Sequence, residues 1–442
     1  MLDIKFIRQN RKEVEESLKN KGVQVNLGRL LEVDEKRREK IKAVDELRAG
    51  HNRDSDDIMK LKGEERETRI KEVKEMKAKL ADVEFELKAL EEEFRDLMYK
   101  LPNVPFTEVP VGKDGGDNIT LREVGKKPKF DFAFLDYIEL GEKLDLIDTA
   151  RASKVSGSRF GYLKHEAPIL ELALLQFAMS FLVDEANIRA IIEEKGLKIK
   201  AKPFIPVIPP VLVRPEAMRA MGYMERGEDE IYHLEKDDLY LVGTSEQSVG
   251  PMHQNEIFEE ETMPHRHIAF STCFRREAGS YGKDTRGILR VHQFDKAEMF
   301  VFSTPETSKD EHQLLLGIEE KLMSLLGIPY RVLDICTGDL GDPAAAKYDI
   351  EAWLPGQNEK KGEYRETHST SNTTDFQARR LNIKYRDSKT KKSGYVHMLN
   401  GTAFAMGRML IAILENYQQS DGSVRVPEIL QPYTFGIKEI KR

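Results

Sequence analysis

The stretch CFRREAGSYGKDTRGILRVHQFDKAEMF, Cys273 to Phe300, sets ten charged side chains among apolar ones. A glycine-rich centre, AGSYGKDTRG, divides it, and both flanks have the β-branched and aromatic content of strands, so the sequence predicts a β-hairpin. The second strand, read from Gly287 to Phe302, carries Arg290, His292, Asp295 and Glu298 where a half-buried strand would alternate. Arg275 and Glu277 stand two apart, which places both on one face of the first strand. Elsewhere, Glu366 and Ser369 lie on another predicted strand, Asn400 and Thr402 close a further one, and Arg408 opens an apolar helix. Unpaired ions are costly to bury, so such a set implies a lattice of mutual salt bridges or a charged ligand on the sheet face. Spacing alone leaves both open.

Outward from this hairpin, the chain of 442 residues divides by composition. Residues 1–101 are charge-dense and proline-free. Val73, Met76, Leu80, Val83, Leu87, Leu90, Phe94, Leu97 and Leu101 alternate spacings of three and four, the seam of a coiled coil. Leu27, Leu30, Leu31, Ile41, Val44 and Leu47 repeat the pattern less regularly, and the polar segment HNRDSDDIMKLKGEER lies between. The expected form is an antiparallel helical hairpin, its second helix running from Arg66 to Leu101, roughly 54 Å. Such a hairpin serves as a dimerising coiled coil, a spacer or an arm. LPNVPFTEVPVGKDGGDN reads as a linker over 102–118, and strands and helices are mixed over 119–442. Short turns between consecutive strands predict an α+β domain, an antiparallel sheet flanked by helices.

Several chemistries are disfavoured. AGSYGKD lacks the spacing of a phosphate loop, His265 and His267 have no further ligands at metal spacing, and no nucleophile elbow is present. Cys273 and Cys336 are too few for a disulfide framework, and no apolar run suggests a signal or a membrane span, so the expected location is the cytoplasm. A net charge of −7 neither supports nor excludes a nucleic-acid partner.

Taken with their order along the chain, these segments resemble the class II aminoacyl-tRNA synthetases in their seryl form. FRREAGSYGKDTRGILRVHQFDKAE resembles motif 2, NGTAFAMGRMLIAILENYQQSDGSVRVPEILQPY motif 3 and its tail, and KPFIPVIPPVLVRPEAM motif 1 with Pro209 or Pro210. LVGTSE resembles the serine-binding loop, YRETHSTSNTTDFQARR the segment before motif 3, and the hairpin the family's tRNA-binding arm. The likeness spans nearly the whole chain.

The resemblance implies a domain order of arm (1–101), linker (102–118) and class II catalytic domain (119–442). It implies a homodimer that joins L-serine, ATP with Mg²⁺, and tRNA(Ser), with tRNA(Sec) a further candidate acceptor and no membrane partner. Arg275 would grip the α-phosphate and the serine carboxylate, and Arg408 the triphosphate tail. Arg276, Glu277, Val291, Phe294, Glu366, Thr367, His368 and Ser369 would complete the ATP site, with Glu277 on adenine and Phe294 stacked on it. Mg²⁺ would take Glu366 and Ser369. Serine would be held by Thr244 and Glu246 at its amino group and by Glu298 and Thr402 about its hydroxyl, with Asn400 a further serine-binding residue. Many relatives have Glu-Ile-Ser-Ser in place of Glu366–Ser369, and Asn-Gly-Ser in place of Asn400–Thr402, where the extra methyl would narrow the pocket. No zinc-ligand set is evident. Lys283, Asp284 and Arg286 receive no role.

Overall fold

The computed structural model describes residues 1–279, 282, 284 and 286–442, which form two compact units, Met1–Pro102 and Asn103–Arg442. In the first, α1 (Leu27–Ile58) begins on Asn26, whose side chain accepts from the Arg29 amide at 2.9 Å. Its partner α2 (Glu64–Tyr99) starts after Gly63. Ion pairs fix their antiparallel register: Arg29 meets Glu93, Lys40 meets Glu86, Arg48 meets Glu84 and Arg69 meets Asp54. The polar segment between them is mostly helix, with a turn only at 59–63. Its Asn52, Asp56 and Asp57 lack apolar periodicity but lie exposed on the helix surface, where no core is needed. Leu30, Val33 and Val44 are buried, and the seam of α2 is half-buried, as expected for a hairpin with no third helix along most of its length.

The second unit is built on an eight-stranded sheet. In chain order its strands are β1 (Ile119–Val124), β2 (Ile205–Val207), β3 (His265–Phe274), β4 (Gln293–Ser303), β5 (Tyr330–Asp334), β6 (Ala346–Leu354), β7 (Glu363–Asn372) and β8 (His397–Ala405). Their order in space is β1-β5-β6-β7-β8-β4-β3-β2, antiparallel throughout except where the edge strand β2 runs parallel to β3. Residues 103–112, within the proline-rich stretch, lie against this unit. The buried Asn103 amide group donates to Pro343 O, Thr373 O and Thr374 Oγ1, and Val109 packs with Leu333, Ile335 and Leu340.

Helices cover one face of the sheet. Ala297, Met299 and Val301 of β4, with Leu399 and Ala403 of β8, join one core with α3 (Glu166–Leu182), α4 (Ser308–Leu326) and α5 (Met406–Asn416). Phe294, Lys296 and Glu298 of β4 with Asn400 and Thr402 of β8 face the other way, towards a cavity, while Phe300, Phe302 and Met398 pack in a second core. Two expectations need correction. The second strand of the opening hairpin starts at Gln293 rather than Gly287, because Ile288, Leu289 and Val291 are buried as irregular chain. The long apolar helix expected after His165 breaks at Val183–Asp184, where the Asp184 side chain accepts from the Ala186 amide and caps a second helix, Glu185–Lys195. No single helix among the described residues is long and apolar enough to cross a membrane.

Candidate active site

A cavity of about 600 Å³ opens on the uncovered face of the sheet, within the size range of small-molecule sites. Period-two alternation explains most of its lining: Phe294, Lys296 and Glu298 of β4, Asn400 and Thr402 of β8, and Thr367, Ser369 and Ser371 of β7. Two register shifts refine it. One between β4 and β8 sets Glu298 opposite Thr402 and leaves Ala403 unmatched. The other, between β6 and β7, lets adjacent Glu366 and Thr367 both reach the cavity.

At one end the polar groups are small and closely held. Thr402 Oγ1 donates to Glu298 Oε2 at 3.0 Å, and Lys296 Nζ lies 2.8 Å from the same oxygen. Glu246 is 3% exposed, and its two oxygens accept from Gln377 Nε2 at 2.8 Å and Tyr223 Oη at 2.7 Å. Burial pushes its carboxyl pKa up, with Glu298 adding to the effect, while the Gln377 and Tyr223 donors oppose it. The Tyr223 hydroxyl is itself held protonated by burial and by Glu246. Thr244 lines the cavity one turn away and accepts from the Glu246 amide.

At the other end the groups are cationic. The Arg275 guanidinium stands 5.3 Å above the Phe294 ring, its Nε donating to Gly243 O at 3.2 Å. That arrangement fixes the head group by one bond and a ring face and leaves most of its donors for a ligand. Arg408, in the first turn of α5, donates to Glu366 O at 2.7 Å and stands 3.3 Å from the Glu366 carboxylate. Desolvation would push the Glu366 pKa up, but Arg408, Lys347 and Arg275 outweigh it and hold this carboxyl well below its usual range. Behind it, Lys347 lies 3.0 Å from Asp349. The site is a polar recess that suits a small zwitterion, joined to a platform of guanidinium and lysine groups that suits phosphates.

Residues 1–105 match the family model described as the seryl-tRNA synthetase N-terminal domain, and 230–417 that of the tRNA synthetase class II core domain (G, H, P, S and T). The chain is 45% identical to the serine–tRNA ligase of Dictyoglomus turgidum, over 100% of this chain and 99% of that one. It is also 45% identical to that of Thermobifida fusca, over 98% and 97%. The chain belongs to the seryl-tRNA synthetase family. The crystal structure of seryl-tRNA synthetase from Pyrococcus horikoshii complexed with ATP superposes with a TM-score of 0.86 at 41% identity, spanning 100% of this chain and 99% of that one. That of the cytoplasmic serine–tRNA ligase from Naegleria fowleri in complex with AMP has a TM-score of 0.83 at 34% identity, with the same coverage. The antiparallel sheet with flanking helices is therefore a class II synthetase core, joined to the family's helical arm.

Of the residues singled out from sequence, Thr244, Glu246, Arg275, Glu277, Val291, Phe294, Glu298, Glu366, Thr367, Ser369, Asn400, Thr402 and Arg408 all line the one cavity. Two do not. Arg276 is exposed beyond the end of the strand, its guanidinium 5.8 Å from the Tyr232 ring and its backbone amide donating to Glu230 O at 2.9 Å. His368 points to the helix-covered face, 5.7 Å from Phe404, where burial pulls its pKa down to about 3. Glu277 reaches the cavity differently from the expected shared strand face. The strand ends at Phe274, and Glu277 adopts φ 53° and accepts from Arg290 Nη1 at 2.6 Å. Asp284 pairs with Arg365, Arg286 O accepts from Tyr137 Oη at 3.1 Å, and Lys283 lies outside the described residues.

Sequence reasoning missed Lys296, Lys347, Tyr223 and Gln377. Lys296 had a signal, since it alternates with Phe294 and Glu298. Tyr223 and Gln377 had none: they meet Glu246 from 23 and 131 residues away.

Proposed function

We propose that this chain is an ATP-dependent serine–tRNA ligase that forms seryl-adenylate and transfers the seryl group to the 3′-end of tRNA(Ser). The reading rests above all on one observation: an amine- and hydroxyl-matched recess shares a single cavity with the Arg275, Arg408 and Lys347 cations. The serine ammonium meets the Glu246 carboxylate and Thr244, its hydroxyl meets Glu298 and Thr402 beside Asn400, and its carboxylate meets Arg275. A carboxylate oxygen attacks the α-phosphorus of ATP, the bond to the bridging oxygen breaks, and pyrophosphate leaves. Arg275 stabilises charge on the α-phosphate and Arg408 charge on the departing phosphates, so catalysis is alignment and electrostatics with no covalent enzyme intermediate. Adenine lies between Phe294, Val291 and Glu277.

Mg²⁺ enters with ATP. Glu366, held ionised, and the Ser369 hydroxyl are hard oxygen donors facing the cavity and fit a cation that keeps several of its waters. Among the described residues no group of three or more His, Cys, Asp or Glu side chains is placed to hold a metal by itself. Edge strand β2 with its exposed Ile205 and Ile208, 53% and 83% accessible, supports a homodimer through the motif 1 region. The helical hairpin serves as the tRNA-binding arm.

Serine-dependent exchange of pyrophosphate into ATP, run against a panel of amino acids, tests the activation step; exchange with another amino acid alone refutes the substrate. Removal of about Val33–Leu97 leaves that exchange intact and abolishes tRNA charging. Charging that persists refutes the role of the arm.

A further inference from the structure

His292 follows Val291 and stands two residues before Phe294, both of which line the cavity, and neither its spacing nor the resemblance gives it a role. The ladder between β3 and β4 ends at the pair Phe274–Gln293. One step further, the Arg275 amide donates to His292 O at 2.9 Å, which is half of an antiparallel rung. In a complete rung of this kind the two residues exchange both backbone bonds. Here the His292 amide is diverted to Arg159 O, at 3.0 Å, where Arg159 turns through a φ of 60°. The strand therefore supplies no amide to the Arg275 carbonyl, and the His292 side chain takes that place: Nδ1 donates to Arg275 O at 2.9 Å. A carbonyl can only accept, so the proton lies on Nδ1.

The surroundings hold this arrangement still. The imidazole packs with Phe160 and Tyr232, ring centroids 5.4 and 6.3 Å away. On either side of Arg275, the Phe274 amide donates to Val242 O at 2.8 Å and the Arg276 amide to Glu230 O at 2.9 Å. Arg275 presents its guanidinium to the cavity from the last point at which the two strands are still joined. A shift of that backbone carries the guanidinium with it, and a misplacement of about 1 Å can cost about 10²-fold in rate.

We propose that His292 is a positioning residue for serine activation: its Nδ1 donor closes the open end of the β3–β4 ladder and thereby sets the Arg275 guanidinium against the α-phosphate and the serine carboxylate. The proposal rests on the reading of the cavity as the site where serine and ATP react. It assigns His292 no contact with either substrate, since its donor is spent on the chain itself.

Two substitutions in the full-length chain separate the donor from the ring. Phe keeps a ring and has no donor, whereas Asn keeps a donor close to the Nδ1 position and has no ring. His292→Phe lowers the kcat of serine-dependent pyrophosphate exchange about thirtyfold, and His292→Asn recovers most of that loss. The reverse order, with Phe tolerated and Asn not, makes the imidazole a filler between Phe160 and Tyr232 and refutes the proposal. In an Arg275→Ala background His292→Phe costs nothing further, because the group it positions is gone. The same fold-loss in both backgrounds means that His292 does not act through Arg275, and this also refutes it. Melting curves of the same samples report folding, and where His292→Phe is unfolded at the assay temperature His292→Leu, which also lacks the donor, replaces it in the cycle with the same expected outcomes. A parent chain whose exchange does not depend on serine overturns the reading of the site and the proposal with it; a serine-dependent parent matched by the donorless variant overturns the proposal alone.

Discussion

In the helical unit Arg48 meets Glu84 at 2.7 Å with side chains 59% and 40% exposed, whereas in the sheet unit Arg266 meets Glu311 at 2.8 Å with both at 0%. The distances are alike and the energetics are not. On the arm, water solvates each ion whether or not it is paired, and the bond fixes register more than it adds stability. In the sheet unit desolvation makes each partner depend on the other. The guanidinium of Arg266 donates to Glu311 through both Nε and Nη2, and neither charge has water to fall back on. The cavity lies between these extremes, with buried charges such as Glu246 whose hydrogen bonds are arranged around space for a ligand. Identical residue types thus act as surface dressing, buried staple or binding group according to the dielectric around them.

Substitutions can break or sharpen that contrast. The largest expected loss is at Arg275, whose head group donates one hydrogen bond among the described residues, to Gly243 O, and lines the cavity. Arg275→Ala lowers serine-dependent pyrophosphate exchange by about 10³-fold with little change in thermal stability. Intact exchange would remove Arg275 from the site. Next is the staple: Glu311→Ala strands the Arg266 charge and costs about 3–5 kcal/mol, read as a lowered denaturation midpoint. A cost near that of an arm pair would show that water reaches this charge.

Tyr223→Phe deletes one donor to a buried carboxylate and raises the KM for serine about tenfold or more, with the KM for ATP unchanged. Its sign in pH follows from the same bond. Glu246 must be ionised to hold the serine ammonium, and loss of the donor raises a pKa that burial has already pushed up. The acid limb of serine activation therefore moves to higher pH in the variant; an unmoved limb removes Tyr223 from the positioning of Glu246.

A smaller effect is expected at Glu171 of α3, where burial and a hydrogen bond to Asp295 push the carboxyl from about 4.5 up to about 8. Between these values the folded chain keeps a proton that the unfolded chain has released. The stabilisation is complete below pH 4.5 and is lost as the pH rises to about 8. Glu171→Gln flattens the pH dependence of the melting temperature over that window, and an unchanged profile would place the proton elsewhere. The smallest change is at Arg48→Ala, about 0–1 kcal/mol and reduced further by salt.

Much of the fold is legible along the chain because it depends on local periodicity. The spacing of Val73 to Leu97 specifies a helix with one apolar side, and Gly63 marks its start within two residues of the expected Arg66. The helices of the sheet unit, Ser308–Leu326 and Met406–Asn416, follow from their apolar faces. Where prediction failed, the cause was not local. Residues 287–292 have strand composition but pack as irregular chain. His368 stands within a segment of binding residues and is turned away by one step of strand alternation.

The sequence by itself determined the residue types of the site, the helical arm and the family, because these depend on side-chain chemistry and on order along the chain. Only the tertiary structure decided which charges share a cavity, which are staples, and which donors hold Glu246. Those properties depend on distance and on access of water, and both are set by residues far apart in sequence: Gln377 reaches Glu246 across 131 residues, and Arg29 reaches Glu93 across 64.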